Sequence, residues 1–239
     1  MLPLSVVAVV LLGVPSPLER YFDSIHTGPG LWKWRHYFPF YHQHFDRFVN
    51  LSGGATVAEV GVFSGGSLKM WRHYFGKKAT IYGIDIAPSV MQFHLNHRYG
   101  SPQMFVGSQS NVTFWNEFKS KTMPLDIFMD DGSHKGDDQL TTFKAVWPHL
   151  KKGGIYWVED IVNPATSRRT KLPNAFVDYT AALTQANFSA SSIRSIHIHR
   201  SIIVIEKEHE ETPYYNEKHG TVWQPDSFWR SGGKQQTQG

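Results

Sequence analysis

From Ala55 onward, short β-rich runs alternate with helical stretches. Thr56 to Val60 (TVAEV) predicts a buried strand ended by Gly61, and Thr80 to Ile86 (TIYGIDI) predicts a second. Gln103 to Val106 predicts a short third strand, Leu125 to Met129 (LDIFM) a fourth and Ile155 to Val158 (IYWV) a fifth. Helices are predicted between them over Ser67 to Tyr74, Met91 to Tyr99, Asn111 to Lys119 and Gln139 to Leu150, the last stopped by Gly153 and Gly154. Continuously apolar strands separated by helices predict a parallel sheet covered on both faces. The end of the pattern differs. Ile193 to Ile198 and Ile202 to Ile205 lie too close together for a helical crossover, so they predict an antiparallel hairpin. The expected architecture is a Rossmann-like α/β fold whose mostly parallel seven-stranded sheet is closed by that C-terminal hairpin.

Composition narrows the classes. A chain of 239 residues suits one α/β domain with a full core, and 41% hydrophobic with 18% charged residues is ordinary for a globular protein. The net charge of +4 is scattered, so no phosphate-binding stripe forms and no nucleic-acid partner is expected. Arg168, Arg169 and Lys171 are the tightest basic group, and a solvated loop explains them. With no Cys, disulfides, zinc–thiolate sites and thiol nucleophiles are excluded. Residues 1–17 begin with an apolar run, Leu2 to Val14, broken by Pro15 and Pro17. It falls short of the roughly 20 residues that span a bilayer, and it lacks a basic flank. Sequons at Asn50, Asn111 and Asn187 suit a secretory route. Secretory or membrane association through residues 2–14 and a cytoplasmic location therefore both stay open, as does a homo-oligomer. The expected organisation continues with a helical, aromatic cap (18–50), the main domain (51–207) and a C-terminal extension (208–239).

Ligands of such sheets bind beyond the carboxyl ends of the strands. The first strand ends in Glu59-Val60-Gly61-Val62-Phe63-Ser64-Gly65-Gly66-Ser67, whose glycines permit a tight turn before the next helix. Phe63 stands where a dinucleotide fold needs its second glycine, which argues against NAD or FAD. S-adenosylmethionine (SAM) carries a sulfonium cation and no phosphate, so Glu59 near the loop suits it better. Asp85, ending the second strand, is expected to accept hydrogen bonds from both ribose hydroxyls. Gly107-Ser108-Gln109 follows the third strand, where adenine would lie, with Ser108 a weak acceptor. The expected cofactor-binding set is Glu59, Gly61, Ser64, Gly65, Ser67, Asp85, Ser108, Gln109 and Asp130.

The most specific stretch is Asp130-Asp131-Gly132-Ser133-His134 after the fourth strand, paired with Glu159-Asp160 after the fifth. Either cluster alone also suits a capped turn. Together, at adjacent strand ends, Asp131, Glu159 and Asp160 would crowd three carboxylates into one crevice, which calls for a cation or raised pKa values. Hard oxygen ligands suit Mg2+ or Mn2+. His134, one turn beyond Asp131, is the expected catalytic base for a hydroxyl activated by that metal. Asp137 and Asp138 are expected to cap the helix from Gln139. His197 and His199 share a strand face as a ligand pair would, but no carboxylate partner is apparent in the sequence.

Five parallel βα units closed by an antiparallel hairpin resemble the class I SAM-dependent methyltransferases. The stretches VAEVGVFSGGSLKMWRHYF, IYGIDI, DDGSH, LKKGGIYWVEDI and SIHIHRSIIVIEK are similar to the metal-dependent sugar O-methyltransferases of macrolide biosynthesis. They also resemble relatives labelled rhamnosyl O-methyltransferase or cephalosporin hydroxylase, roughly from Thr27 to Lys207. That resemblance implies Mg2+ on Asp131, Glu159 and Asp160 and general-base catalysis by His134. It further implies that an aromatic segment like Trp32 to Tyr37, with Tyr41, helps to cover SAM, which adds Tyr37 to the cofactor residues. The implied activity is O-methylation of a hydroxyl on a sugar or other small molecule. The sequence departs from the family at Ser108, in the N-terminal run and over Arg168 to Ala190, so the acceptor does not transfer. A hydroxylase would need a 2-His-1-carboxylate site, which DDGSH with Glu-Asp does not supply. A non-catalytic SAM-binding module is the other alternative, and the intact metal and base set counts against it. Trp32, Trp34, Tyr37, Tyr214, Tyr215, Trp223 and Trp229 are aromatics that suit a sugar face or a core.

Overall fold

The computed structural model describes residues 14–161, 174–185 and 192–208. Residues 2–13, Arg168, Arg169, Lys171, the Asn187 sequon, Tyr214, Tyr215, Trp223 and Trp229 lie outside the described residues. Among the described residues, no helix is long and apolar enough to cross a membrane.

Seven strands form one sheet: β1 (Thr56–Val60), β2 (Thr80–Asp85), β3 (Gln103–Val106), β4 (Leu125–Asp130), β5 (Leu150–Val158), β6 (Ile193–His199) and β7 (Ile202–Lys207). Their order is β3-β2-β1-β4-β5-β7-β6. The first five strands run parallel. β7 pairs antiparallel with β5, and β6 with β7. The expected mixed, hairpin-closed sheet is therefore present.

Alternate strand residues feed two cores, as the period of two requires. Val57, Ile127, Met129, Ile155, Trp157, Ile202 and Val204 face one cluster. Helices α1 (Pro17–Asp23), α2 (Phe38–Phe45) and α3 (Gly66–Phe75) supply that side, with Phe38, Tyr41, Phe45 and Trp71. Ala58, Phe128, Tyr156, Ile203 and Ile205 face the other cluster. There α4 (Val112–Lys121), α5 (Gly136–Val146) and α6 (Ala175–Gln185) contribute Trp115, Phe118, Phe143 and Phe176.

Three local expectations change. Met91 to Tyr99 is not an α-helix but two 3-10 turns, Pro88–Phe93 and His97–Tyr99. Leu95 between them takes φ +51°. The His94 ring accepts the Met104 N–H of β3 at 3.0 Å, and Leu95 N–H bonds Pro102 O at 2.7 Å, so tertiary partners replace the helical ladder. α5 begins at Gly136, which places Asp137 and Asp138 inside its first turn rather than ahead of it. They favour the positive helix end there, and Ser133 Oγ donates to Asp138 at 2.7 Å. Finally, β5 starts at Leu150 and runs through Gly153 and Gly154 as strand, where the helix was expected to end.

Candidate active site

Strand register sets the site. Val60 pairs with Asp130 and Asp130 with Val158, so Gly61, Asp131 and Glu159 leave the sheet side by side. β1 lies between β2 and β4. The chain reverses its order across the sheet there, where such sheets open a ligand crevice. A crevice of about 820 Å3 occupies this place, within the size range of small-molecule sites. Its walls include Lys33, Ser64, Asp85, Asp131, His134 and Asp160.

Close backbone approaches build the walls. Gly61 has φ +94°, and a Cβ there would stand 1.9 Å from the Asp131 carbonyl oxygen. Only glycine lets the two loops touch. A Cβ on Gly66 would stand 2.1 Å from Gly30 O, and Ser64 Oγ donates to the same oxygen at 2.8 Å. The segment before α2 is thus laid across the first loop, which carries Lys33 into the crevice.

The Lys33 ammonium sits among carboxylates. Its Nζ lies 2.6 Å from Asp131, 3.0 Å from Glu159 and 3.4 Å from Glu59. Burial opposes its charge, but Asp131, Glu159, Tyr41 and Glu59 outweigh burial and raise its pKa well above the usual lysine value. Glu159 is 1% exposed. Its Oε2 accepts from Lys33, and its Oε1 accepts from Trp157 Nε1 at 3.1 Å and from the Tyr41 hydroxyl. Glu59 is fully buried and accepts from Ser67 Oγ at 2.6 Å. Sequence reasoning placed Lys33 only within an aromatic cover. No local signal marked it: lysine is rarely buried unless paired, and its partners Glu59, Asp131 and Glu159 are distant in sequence.

Asp160 forms the second layer. Its Oδ1 accepts from Trp34 Nε1 at 3.0 Å and from the Tyr37 hydroxyl at 2.6 Å. Its Oδ2 faces His134 Nε2 at 3.8 Å. His134 Nδ1 is buried without a hydrogen-bond partner among the described residues. Phe63, His134 and Asp160 all line the crevice with positive φ, +49°, +57° and +53°. Left-handed backbone at non-glycine residues costs about 1–3 kcal/mol each and clusters at functional sites.

The expected residues separate into two groups. Gly61, Ser64, Ser67, Asp85, Asp131, His134, Glu159 and Asp160 line the crevice. Glu59 meets it only through Lys33 and Ser67. Tyr37 is fully buried and braces Asp160 instead of covering the cavity. Gly65 lies against Tyr99 and Phe93. Gln109 and Asp130 are buried beneath the floor, contrary to a direct cofactor contact. Gln109 Nε2 donates to both Asp130 oxygens, at 2.9 and 3.1 Å, while its Oε1 accepts Ser133 N–H at 2.6 Å. Tyr156 also donates to Asp130, at 3.0 Å, and this fully buried carboxylate does not line the crevice. Gln109 and Asp130 hold the Gly132–His134 turn in place. Ser108 is engaged with Ser110, at 2.8 Å, and lies off the wall. Asp85 accepts Phe63 N–H at 3.0 Å and Ala87 N–H at 2.9 Å, tying the first loop to the end of β2.

Charge balance decides what the crevice admits. Among the described residues, four carboxylates, Glu59, Asp131, Glu159 and Asp160, face one ammonium. Burial pushes Asp131 and Glu159 each up to about 7 against the pull of Lys33, and it raises Glu59 as well. Such a surplus fits a divalent cation, a sulfonium, or both. Asp131, His134 and Asp160 each offer a donor atom, all within 4.8 Å of one another. Glu159 contributes charge from one layer deeper.

Residues 58–161 match the protein family described as Methyltransferase domain. The chain is 31% identical over 207 residues to the 8-demethyl-8-(2-methoxy-alpha-L-rhamnosyl)-tetracenomycin-C 3'-O-methyltransferase of Streptomyces olivaceus, covering 74% of this chain and 50% of that one. It is 34% identical over 138 residues to the demethylmacrocin O-methyltransferase of Streptomyces fradiae, covering 54% of this chain and 33% of that one. Among solved structures, it resembles the MycE methyltransferase of the mycinamycin pathway, in complex with Mg, S-adenosylhomocysteine (SAH) and mycinamycin VI. The TM-score is 0.60 at 26% identity, over 82% of this chain and 55% of that one. The chain spans a third to a half of the length of these two sequence relatives.

Proposed function

We propose that this chain, through the class I SAM-dependent methyltransferase domain it carries, methylates a hydroxyl group on a sugar or similar small molecule with the help of Mg2+ or Mn2+. The observation that carries this reading is the excess of buried carboxylate beside His134 at the switch point of the sheet. A dehydrated anionic cluster is costly unless a cation joins it. When bound, the metal lowers the pKa of a coordinated hydroxyl, and SAM supplies the electrophilic methyl group.

The chain's own residues divide the remaining work. Asp131 and Asp160, backed by Glu159, hold the cation. Lys33 keeps Glu59, Asp131 and Glu159 converged through its three contacts, so the carboxylates do not splay apart. Asp85 accepts from the ribose hydroxyls while fixing the Phe63 loop. His134, whose Nδ1 has no hydrogen-bond partner among the described residues and whose backbone is left-handed, takes the substrate proton as the oxygen gains the methyl. Trp32 and Phe63, 87% and 79% exposed on the crevice rim, offer flat apolar surface to the acceptor. The similar O-methyltransferases named above act on rhamnosyl-tetracenomycin and demethylmacrocin, which favours a glycoside as acceptor.

Calorimetry with SAH, with and without Mg2+, tests the binding half of the proposal. Tight SAH binding by the wild type and a marked loss in Asp85→Ala are expected. Equal affinity in a folded Asp85→Ala protein would move the cofactor elsewhere.

A further inference from the structure

A second polar cluster lies where α2 meets the β6–β7 hairpin. His44, three residues after Tyr41 on α2, is 4% exposed. β6 brings His197 against it, with ring centroids 4.8 Å apart, and β7 brings Glu206, which is 8% exposed. One donor atom from each of His44, His197 and Glu206 lies within 4.8 Å of the others. His199, the last residue of β6, places its Nε2 3.1 Å from His44 Nε2. The carboxylate partner missing from the sequence pattern of His197 and His199 is therefore supplied by the neighbouring strand.

We propose that His44, His197 and Glu206, with His199 adjoining, form a zinc-binding site that pins α2 to the β6–β7 hairpin. Imidazole nitrogens with one carboxylate suit Zn2+, whereas Mg2+ prefers an oxygen shell.

Geometry leaves room for the ion. His44 Nδ1 stands 4.0 Å from Glu206 Oε1. That gap is too long for a hydrogen bond and suits an ion about 2.0–2.2 Å from each ligand atom after a small adjustment. Outer partners are also in place. Ser195 Oγ lies 2.9 Å from His197 Nε2, and Arg47 reaches Glu206 Oε1 at 3.1 Å while its other nitrogen donates to Gly153 O at 3.0 Å. Such partners orient metal ligands. Because α2 also carries Tyr41, which donates to Glu159, an ion here would brace the crevice wall from behind.

The test uses untagged, chelator-treated protein titrated with Zn2+ in a large excess of Mg2+, with Co2+ absorption as a second readout. One Mg2+-resistant equivalent of Zn2+ is expected, with visible Co2+ bands of a four-coordinate nitrogen–oxygen site. His197→Ala and Glu206→Gln should each weaken Zn2+ binding about 100-fold or more, while Asp131→Asn should leave it unchanged. His197 is only partly buried on an edge strand, so its variant should fold even where Glu206→Gln does not. Absence of Mg2+-resistant binding overturns the proposal. So does equal Zn2+ affinity in folded His197→Ala, or loss of Zn2+ binding in Asp131→Asn instead.

Discussion

The two polar clusters touching α2 are built on opposite principles. Near the start of the helix, Tyr37 and Tyr41 reach carboxylates that, among the described residues, outnumber the one ammonium beside them. Three residues further along, His44 faces neutral imidazoles and a single carboxylate already matched by Arg47. Burial acts on both, but in opposite directions. It raises acids in the crevice and lowers bases in the imidazole cluster. Among the described residues, the crevice is left with unmet negative charge and oxygen donors, suited to hard cations. The imidazole cluster has little net charge and nitrogen donors, suited to softer ones. One helix thus separates two kinds of cation chemistry.

The largest effect should come from His134, which belongs to the crevice alone. His134→Ala is expected to lower methyl transfer by roughly 10²- to 10⁴-fold while SAH binding persists. Single-turnover rates with saturating SAM measure this. Wild-type turnover in the variant would assign the proton elsewhere.

Lys33 is next. Lys33→Met would leave Glu59, Asp131 and Glu159 without their shared counter-ion. Breaking a buried ion pair by removing one partner costs about 3–5 kcal/mol. Urea denaturation should show a loss on that scale, and added Mg2+ should restore part of it. A loss of less than about 1 kcal/mol would show the carboxylates to be well solvated. Asp85→Ala should weaken SAH binding by about 1–3 kcal/mol, read by calorimetry, and should leave Zn2+ binding untouched.

The smallest effect compares the clusters directly through pH, in metal-free protein. His199, held down to about 4, binds fewer protons folded than unfolded between that value and the ordinary imidazole pKa of about 6.5. Its stabilisation is therefore complete above about 6.5 and lost as pH falls toward 4. Asp131 and Glu159, raised to about 7, behave in the opposite sense. Their contribution is favourable at low pH and lost as pH rises through 7. His44, His197, Glu206 and Arg47 surround the first group, and Lys33, Glu59, Tyr41 and Asp160 the second. His199→Gln should leave stability falling more steeply with rising pH between 4.5 and 6.5. Asp131→Asn should do the reverse. Denaturation midpoints at several pH values separate the two slopes, and parallel shifts in both variants would contradict the comparison.

The same contrast explains what could be read from the sequence. Strands β1 to β4 and the second half of β5 were legible as short β-rich, largely apolar runs, and the ends of β4 and β5 carry DDGSH and Glu-Asp as contiguous motifs. The crevice residues Asp131, His134, Glu159 and Asp160 are local in sequence, and the strand register does the rest. The imidazole cluster draws on α2, β6 and β7, so no window of sequence contains it. Gln109 and Asp130 were expected to touch the cofactor because they sit at strand ends. Whether such a residue faces out or bonds inward depends on partners such as Tyr156 and Ser133, which the sequence does not reveal. Helix α6 was missed although its signal was present. Asn174 caps it by accepting Phe176 and Val177 N–H, and Phe176, Thr180 and Leu183 recur at helical spacing.

Methyl transfer that needs a divalent cation in the crevice is the central expectation. The most direct measurement is the transfer of labelled methyl from SAM to a panel of deoxysugar glycosides, run in Mg2+, then in EDTA, then with Mg2+ restored. The predicted result is label on a glycoside hydroxyl in Mg2+, lost in EDTA and regained on restoration. Transfer at full rate in EDTA, or label confined to macromolecules when a lysate is supplied as acceptor, would contradict it.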